Sequence, residues 1–232
     1  MNFWQFSFVC LLVLIFSGTV KPAFSQDDSL TTKTAPSPKT PVIVNSLLGN
    51  KGVHIETIFS KSFTPGNRFG VFGIADLLGV YDANKQALQN QQMAQTQITY
   101  RIAKGLNVSA GAFFEKNSGF RPTAGLQYNL FFNNFHLLLA PRVDLSQTYN
   151  GEILGFLEFT PPIKDNWRLY TRVQSLYNRD MKNDVHAISY VWARLGVSYK
   201  TYRFGAGANF NSYGPMKIKE NNYGLFAGVL LF

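Results

Sequence analysis

The sequence predicts an all-β fold: a membrane-spanning, antiparallel up-and-down β-barrel of about twelve strands, with ten strands as the alternative. Apolar and polar residues alternate along segments of about ten residues, as they do in the strands of such barrels. Charged residues make up 15% of the chain and aromatic residues another 15%, whereas a typical soluble domain is roughly 25% charged. The mean hydropathy is −0.05, so apolar residues are interleaved with polar ones. A helical membrane protein would instead need continuous apolar runs.

The N-terminal segment predicts export. Residues 6–16, FSFVCLLVLIF, are continuously apolar, but about a dozen residues is too short to cross a bilayer and suits a secretory signal. The small residues around position 25 provide a cleavage site, so we expect a signal peptide over 1–25; a membrane anchor is the alternative. Residues 26–40 are rich in Thr, Ser and Pro, which predicts a flexible periplasmic leader before a barrel over 41–232.

Residues 166–178 show the alternation best, with charged and amide side chains at even positions and mostly apolar ones at odd positions. Trp167 and Tyr177 are about 33 Å apart along an extended strand. A tilt near 40° projects this distance to about 25 Å, the height of the apolar band of an outer-membrane barrel. We therefore expect both side chains in the aromatic girdles at the two edges of the band, together with Phe69 and Tyr81.

The same pattern recurs along the chain and predicts twelve strands. Residues 42–48 show it weakly, but both termini of a bacterial single-chain barrel lie in the periplasm, so the strand number should be even. That argument favours keeping this segment as a strand. The predicted strands are 42–48, 53–62, 68–81, 95–103, 106–115, 120–132, 135–147, 152–160, 166–178, 186–199, 202–212 and 222–232.

The links between the predicted strands differ in length. Two-residue links at 104–105, 133–134 and 200–201 fit periplasmic turns, and the longer polar links at 179–185 and 213–221 fit extracellular loops. The largest insertion, residues 82–94, is rich in Gln and compatible with a helix. It is expected either to form a solvated outer loop or to fold into the lumen as a plug.

The chain ends in the alternating segment YGLFAGVLLF, residues 223–232. The terminal Phe232 resembles the carboxyl-terminal signature of bacterial outer-membrane proteins, which the barrel-assembly machinery recognises as an assembly signal. This resemblance implies a location in the bacterial outer membrane and a porin-like barrel. It also puts Leu225, Val229 and Leu231 on the presumed lumen face of the last strand, which makes that face locally apolar.

Charged side chains are predicted to line the lumen. Arg168 and Arg172 lie on the strand that follows Glu152 and Glu158, so cross-strand ion pairs are expected. One interpretation is a narrow water-filled pore, in which arginines favour anions. The other is a closed lumen held by a network of salt bridges, because the free width depends on how the side chains pack. The predicted pore-lining residues are Arg101, Arg121, Arg142, Asp144, Glu152, Glu158, Arg168, Arg172 and Arg194.

The expected partners follow from charge and export. The formal net charge is +9, and an exported basic chain is more suited to anionic lipopolysaccharide, lipid head groups or anionic solutes than to nucleic acid. The single cysteine, Cys10, lies in the predicted signal peptide, so the mature chain would have neither a disulfide nor a cysteine-based metal site. We expect no cofactor and no metal.

A lipid-modifying enzyme is the third functional hypothesis, after a passive pore and a closed structural or surface-binding barrel. Its chemistry requires a Ser beside a His, and the chain has three histidines. His186 and Ser189 are three positions apart and would point to opposite faces of a regular strand. The sequence therefore predicts no local catalytic pair and leaves a cross-strand pair open.

Overall fold

The computed structural model describes residues 40–82, 90–116, 118–146 and 148–232. The predicted signal peptide, and the predicted leader as far as residue 39, lie outside this part of the chain. Within it, no helix is long and apolar enough to cross a lipid bilayer. The secondary structure of the described residues consists of strands and the turns between them.

The described residues form thirteen strands, and the bounds of the twelve strands that the alternation predicts agree with it to within a few residues. They are β1 (Val42–Gly49), β2 (Gly52–Ser62), β3 (Phe69–Val80), β4 (Gln91–Ala103), β5 (Leu106–Glu115), β6 (Gly119–Phe132), β7 (Phe135–Asp144), β8 (Gly151–Phe159), β9 (Pro162–Lys164), β10 (Trp167–Asp180), β11 (Val185–Tyr199), β12 (Tyr202–Tyr213) and β13 (Ile218–Leu231).

The strands form a closed antiparallel barrel. Neighbours in sequence pair with each other, β8 pairs with β10, and β13 pairs with β1 to complete the ring. Twelve strands make up the wall, which confirms the predicted number, and the ten-strand alternative is wrong. The extra strand β9 pairs with the start of β10 at Trp167 and Arg168. Sequence analysis missed β9 because its three residues follow Pro161 and include Pro162, which predict a turn.

The two ends of the barrel differ in their turns. We call the end that carries Val42 and Leu231 the terminus rim, and the opposite end the distal rim. Two predicted two-residue turns at the terminus rim contain a residue of positive φ, Asn133 at 50° and Lys200 at 53°, as tight hairpins require.

At the distal rim the connections are shorter than the sequence predicts. Only residues 181–184 and 214–217 separate the adjacent strands, because the residues at both ends of each predicted link belong to the strands. Beyond the apolar band both faces of a strand can be polar, so the alternation that marks a strand is lost there. The predicted 82–94 insertion is likewise too long, since β4 begins at Gln91. Residues 83–89 lie outside the described residues, so a plug or outer loop there stays a prediction.

The outer wall is largely apolar, whereas the interior contains most of the buried polar residues together with a cluster of apolar ones. Leu48, Ile98, Ile153, Val173 and Leu195 are among the exposed apolar side chains of the outer wall. Buried polar side chains line the interior of most wall strands and include Asn45, Gln95, Gln97, Thr123, Gln127 and Asn209. A soluble protein has the opposite distribution. This arrangement is that of a barrel whose outer surface meets hydrocarbon.

The presumed facing of the last strand is wrong. Leu225 is 70% exposed and Leu231 is 51% exposed, whereas Phe226 is buried. The odd positions of β13 therefore face outward, and its even positions, with Glu220 and Asn222, face the lumen. The apparent conflict in the sequence disappears, because the apolar residues at positions 225, 229 and 231 lie on the face that meets lipid.

Candidate functional site: the barrel lumen

Two cavities occupy the lumen, one at each rim. The terminus cavity has a volume of about 820 Å³ and extends from Lys104 and Asn133 in the turns to Glu158. The distal cavity is smaller, about 230 Å³, and extends from Lys51 to His54 and Asp76. They share no lining residue. Along β2, His54 lines the distal cavity and Ile58 lines the terminus cavity, and Glu56 between them lines neither.

A layer of buried side chains separates the cavities. We call this layer the waist and define it by Glu56, Tyr170, Arg172 and Gln174, none of which lines either cavity. The side chain of Tyr170 is completely buried, and the other three are nearly so. Their burial shows that the centre of the lumen is filled by side chains in this conformation.

The waist contains a bridge across the lumen. Arg172 on β10 lies 3.3 Å from Glu56 on β2, measured from Nη2 to Oε2. The two strands are five positions apart in the twelve-strand ring, so the contact joins opposite walls. Gln174 donates a hydrogen bond of 2.6 Å from Nε2 to the other oxygen of Glu56. The bridge therefore crosses the lumen between the two cavities with hydrogen-bonded, charged groups.

Glu158 extends the network toward the terminus cavity. It lies opposite Arg172 in register, with 3.5 Å between Arg172 Nη1 and Glu158 Oε1. Arg203 donates to both oxygens of Glu158 at 3.1 and 3.3 Å, and the Tyr170 hydroxyl donates to the same carboxylate at 3.2 Å. The guanidinium of Arg203 stacks 4.5 Å above the Tyr170 ring. Each buried charge in this group has a charged partner, which is what stabilises charges at such a site.

Sequence analysis missed Arg203, although the signal was present. Its neighbours in β12, Tyr202 and Phe204, are exposed on the outer wall, and alternation then requires Arg203 to face inward. The residue lies directly after the short turn at 200–201, where the facing of the first strand residue is easily overlooked.

A second ionic cluster lies on the wall formed by β5 to β8. Arg142 binds Glu152 with two hydrogen bonds of 2.8 Å, from Nε and Nη2, and also contacts Asp144. Arg121 lies 3.1 Å from both Asp144 and Glu115. The guanidinium of Arg142 also stacks 4.1 Å above the ring of Phe113. This cluster runs along the wall and does not cross the lumen.

The remaining predicted pore-lining arginines also lie on lumen-facing strand positions, with other partners. Arg101 donates to the carbonyls of Gly66 and Asn67. Arg194 donates to Asn209 Oδ1 at 2.8 Å. Arg168 was expected to pair with a carboxylate, but it donates to the Thr160 carbonyl at 2.8 Å and to Asn134 Oδ1 at 3.0 Å. It therefore holds the turns of the terminus rim, and the pore-lining role of all nine residues stays a prediction.

The two cavities differ in charge. Five cations and one carboxylate line the terminus cavity: Lys61, Arg68, Arg101, Lys104 and Arg203 against Glu158. The distal cavity is more balanced, with Lys51, Lys116 and Arg121 against Asp76, Glu115, Glu152 and Glu220. The positive charge of the lumen is thus concentrated at the terminus rim.

A histidine that sequence analysis did not assign lies at the inner end of the distal cavity. His54 contacts Asp76 through Nε2 and Asn209 through Nδ1 at 3.2 Å. The edge of its ring packs against Trp192, with 4.4 Å between the ring centroids. Within the described residues, no group of three or more His, Cys, Asp or Glu could hold a metal ion.

The predicted girdle residues are exposed on the outer wall. Trp167 lies at the start of β10 and packs 4.9 Å from Tyr199 on the next strand, and Tyr177 lies ten positions further along β10. Phe69 begins β3, while Tyr81 follows its last residue. Phe232 follows the last residue of β13 and is exposed. The roles of these residues in the membrane and in assembly stay predictions.

One expectation about the outer wall is wrong. His186 and Ser189 share a face, and His186 Nε2 lies 3.0 Å from Ser189 Oγ. Arg179 of β10 pairs with His186 while Asn178 pairs with Ile188, so Ala187 is an unpaired bulge residue. One extra residue reverses the alternation, and residues three apart then lie on the same side. The bulge carries no local sequence signal, so the alternation rule failed here.

No protein-family model matches the sequence, and no curated protein matches it. Among solved structures, the chain is similar to the KdgM porin, with a TM-score of 0.44 and 11% identity over 82% of this chain and 98% of that one. It is similar to the NanC porin, with a TM-score of 0.48 and 12% identity over 83% and 98% of the two chains. It is also similar to OprD of Pseudomonas aeruginosa, with a TM-score of 0.39 and 12% identity over 81% of this chain and 63% of that one.

Proposed function

We propose that this chain is an outer-membrane β-barrel that acts as a passive, anion-preferring pore for small solutes. The terminus cavity carries the proposal, because five cations and one carboxylate line it. Arg and Lys side chains at a pore mouth favour anions, and low-dielectric walls focus the field of such charges into the aqueous space. Small carboxylates or phosphates would therefore accumulate at this end of the barrel.

Passage through the waist requires the side chains there to move. Glu56, Arg172 and Gln174 meet through hydrogen bonds and ion pairs, and a hydrated anion can replace such contacts with its own oxygen atoms and waters. Arg172 contacts Glu158, which lines the terminus cavity, so its guanidinium can exchange a carboxylate for an anionic solute without losing a charged partner. The narrow waist limits the proposed solutes to small ones.

A closed barrel with a structural or surface-binding role is the second candidate. The complete burial of Tyr170, Leu47 and Phe72 favours it, because these side chains fill the lumen between and beside the ionic groups. In this alternative the buried pairs hold opposite walls together and no solute passes. Conductance separates the two candidates.

The outer membrane is the proposed location, since the apolar outer wall described above needs lipid around it. The proposed partners are the lipids and lipopolysaccharide of that membrane, with the barrel-assembly machinery acting on the C-terminal strand that ends before Phe232. The predicted signal peptide over 1–25 would deliver the chain to the periplasm.

Planar-bilayer recording tests the pore. Folded, purified protein should give discrete current steps, and under a KCl gradient the reversal potential should shift toward the chloride equilibrium potential. Replacing Lys61, Arg68, Arg101 and Lys104 together by Gln should move it toward zero, since those side chains line the terminus cavity. Replacing Lys182 and Lys217, in the turns of the distal rim, by Gln is the matched control. Absence of current from protein that is demonstrably folded would remove the pore and leave the closed barrel.

A further inference from the structure

The outer wall carries a Ser–His pair with the hydrogen bonding of a nucleophile and its base. His186 Nδ1 lies 2.7 Å from the carbonyl oxygen of Gly214. A carbonyl can only accept, so Nδ1 carries the proton and Nε2 offers a lone pair. Ser189 Oγ, 3.0 Å from Nε2, therefore donates its proton to the histidine. This is the tautomer that a general base needs, with a third group fixing the ring.

A cationic side chain with one unpartnered N–H lies on the strand beside the pair. Arg179 is directly opposite His186 in the register of β10 and β11. Its guanidinium is held by Asp184 through Nη2, while its Nε is buried and has no hydrogen-bond partner among the described residues. A buried N–H without a partner is costly, and such donors at catalytic sites stabilise oxyanions. Arg179 thus offers an N–H donor to an oxyanion formed beside the Ser–His pair, from the neighbouring strand.

The position of the pair in the wall identifies the substrate class. Ser189 is directly opposite Tyr177 in register, and Tyr177 is the predicted girdle residue of the distal half. The next outward residue along β11, Val191, is exposed on the apolar wall. Ser189 therefore lies at the boundary between the apolar band and the polar zone. The ester carbonyls of membrane lipids lie at this same depth, between the acyl chains and the head groups.

We propose that Ser189 and His186 hydrolyse acyl esters of membrane lipids on the outer face of the barrel near its distal rim. Ser189 Oγ attacks the acyl carbonyl as its proton moves to His186 Nε2, and the Arg179 Nε–H binds the resulting oxyanion. The bond from the acyl carbon to the alkoxy oxygen breaks, and the proton on Nε2 passes to the leaving alcohol. Water then attacks the acyl-serine, giving its proton to Nε2 and then to Oγ, which releases a fatty acid.

Two measurements on the full folded chain test this site. In mixed micelles of detergent and phosphatidylethanolamine, the chain should release fatty acid, and a fluorophosphonate probe should label Ser189, located by mass spectrometry. Ser189→Ala should abolish both. His186→Gln should slow both by at least about 100-fold, the contribution typical of a general base. Arg179→Gln should lower fatty-acid release, because the Nε–H donor to the oxyanion is lost.

Ser212 is the matched control, because it lies directly opposite Ser189 on β12 and has no assigned role in the proposed reaction. Ser212→Ala should leave release and labelling unchanged. Absence of labelling at Ser189 in folded protein, or equal fatty-acid release from the chain and Ser189→Ala, overturns the proposal. Folding of every variant is checked by the shift in electrophoretic mobility on heating. The result is independent of the pore, because these residues lie outside the lumen and Ser189→Ala should leave conductance unchanged.

Discussion

Arg172 is the residue on which the state of the lumen depends most directly. It contacts Glu56 from the far wall and Glu158 from the adjacent strand, and its guanidinium stacks 4.2 Å above the Phe156 ring. Each of those carboxylates keeps another donor without it: Glu56 has Gln174 and Glu158 has Arg203. Removal of this one side chain would therefore open the waist and leave neither carboxylate without a partner.

We expect Arg172→Ala to raise single-channel conductance in planar bilayers, by roughly twofold or more, because the guanidinium that fills part of the waist is lost. Arg168→Ala is the control on the same face of the same strand. Its guanidinium contacts turn atoms at the terminus rim, so conductance should not change. Equal conductance for Arg172→Ala and the unmodified chain would show that the waist does not limit the current.

Alternation alone could place charged residues inside the barrel, but it could not pair them. The even positions of β10 were correctly assigned to the interior, because Arg168, Arg172 and Gln174 share a face in any regular strand. The bridge from Arg172 to Glu56 depends on which strands oppose each other across the lumen. Which strands oppose each other is set by the number of strands and their stagger, and a local sequence pattern contains neither. The same applies to Tyr170, an aromatic residue that fills the lumen centre.

At the scale of the element, β10 and β11 show where the sequence pattern holds and where it fails. Both strands are predicted well between the two girdles, since lipid on one side and polar groups on the other enforce strict alternation. Outside this band the constraint is absent, so the sequence does not predict that β10 continues to Asp180. The bulge at Ala187 and the short β9 both lie near the ends of wall strands, where the alternation no longer predicts the structure.

A cation on the lipid face of β10 should destabilise the barrel according to its depth. Val173 is exposed on the outer wall and lies midway between Trp167 and Tyr177. Val173→Arg should cost about 2–4 kcal/mol in the free energy of unfolding, as cations do at the bilayer midplane. The measurement is urea unfolding in lipid vesicles, followed by tryptophan fluorescence.

Tyr177→Arg provides the depth control for this substitution, with an expected cost of about 0–1 kcal/mol near the interface. Val173→Ala separates the effect of charge from that of lost volume. Equal destabilisation by arginine at positions 173 and 177 would contradict the assignment of the apolar band to the middle of β10.

For the molecule as a whole, the separation of charge between the rims determines how the proposed pore responds to salt. The cations of the terminus cavity lie in or beside water-accessible turns, where mobile ions screen them. The Debye length falls from about 10 Å at 0.1 M salt to 3 Å at 1 M. Anion preference, measured as the ratio of chloride to potassium permeability, should therefore decrease strongly over that range. A ratio unchanged between the two concentrations would locate selectivity in the buried waist.

Closure of the ring joins the two ends of the chain, because Val42 pairs with Leu231 and the register continues to Gly49 with Gly224. Neither β1 nor β13 can complete its ladder until the other is present. The last strand, β13, must therefore be synthesised before the barrel can close, and any fragment that stops short of Ile218 has two strand edges with unpaired amides and carbonyls. In hydrocarbon such edges find no water to satisfy them, so insertion has to follow the synthesis of β13.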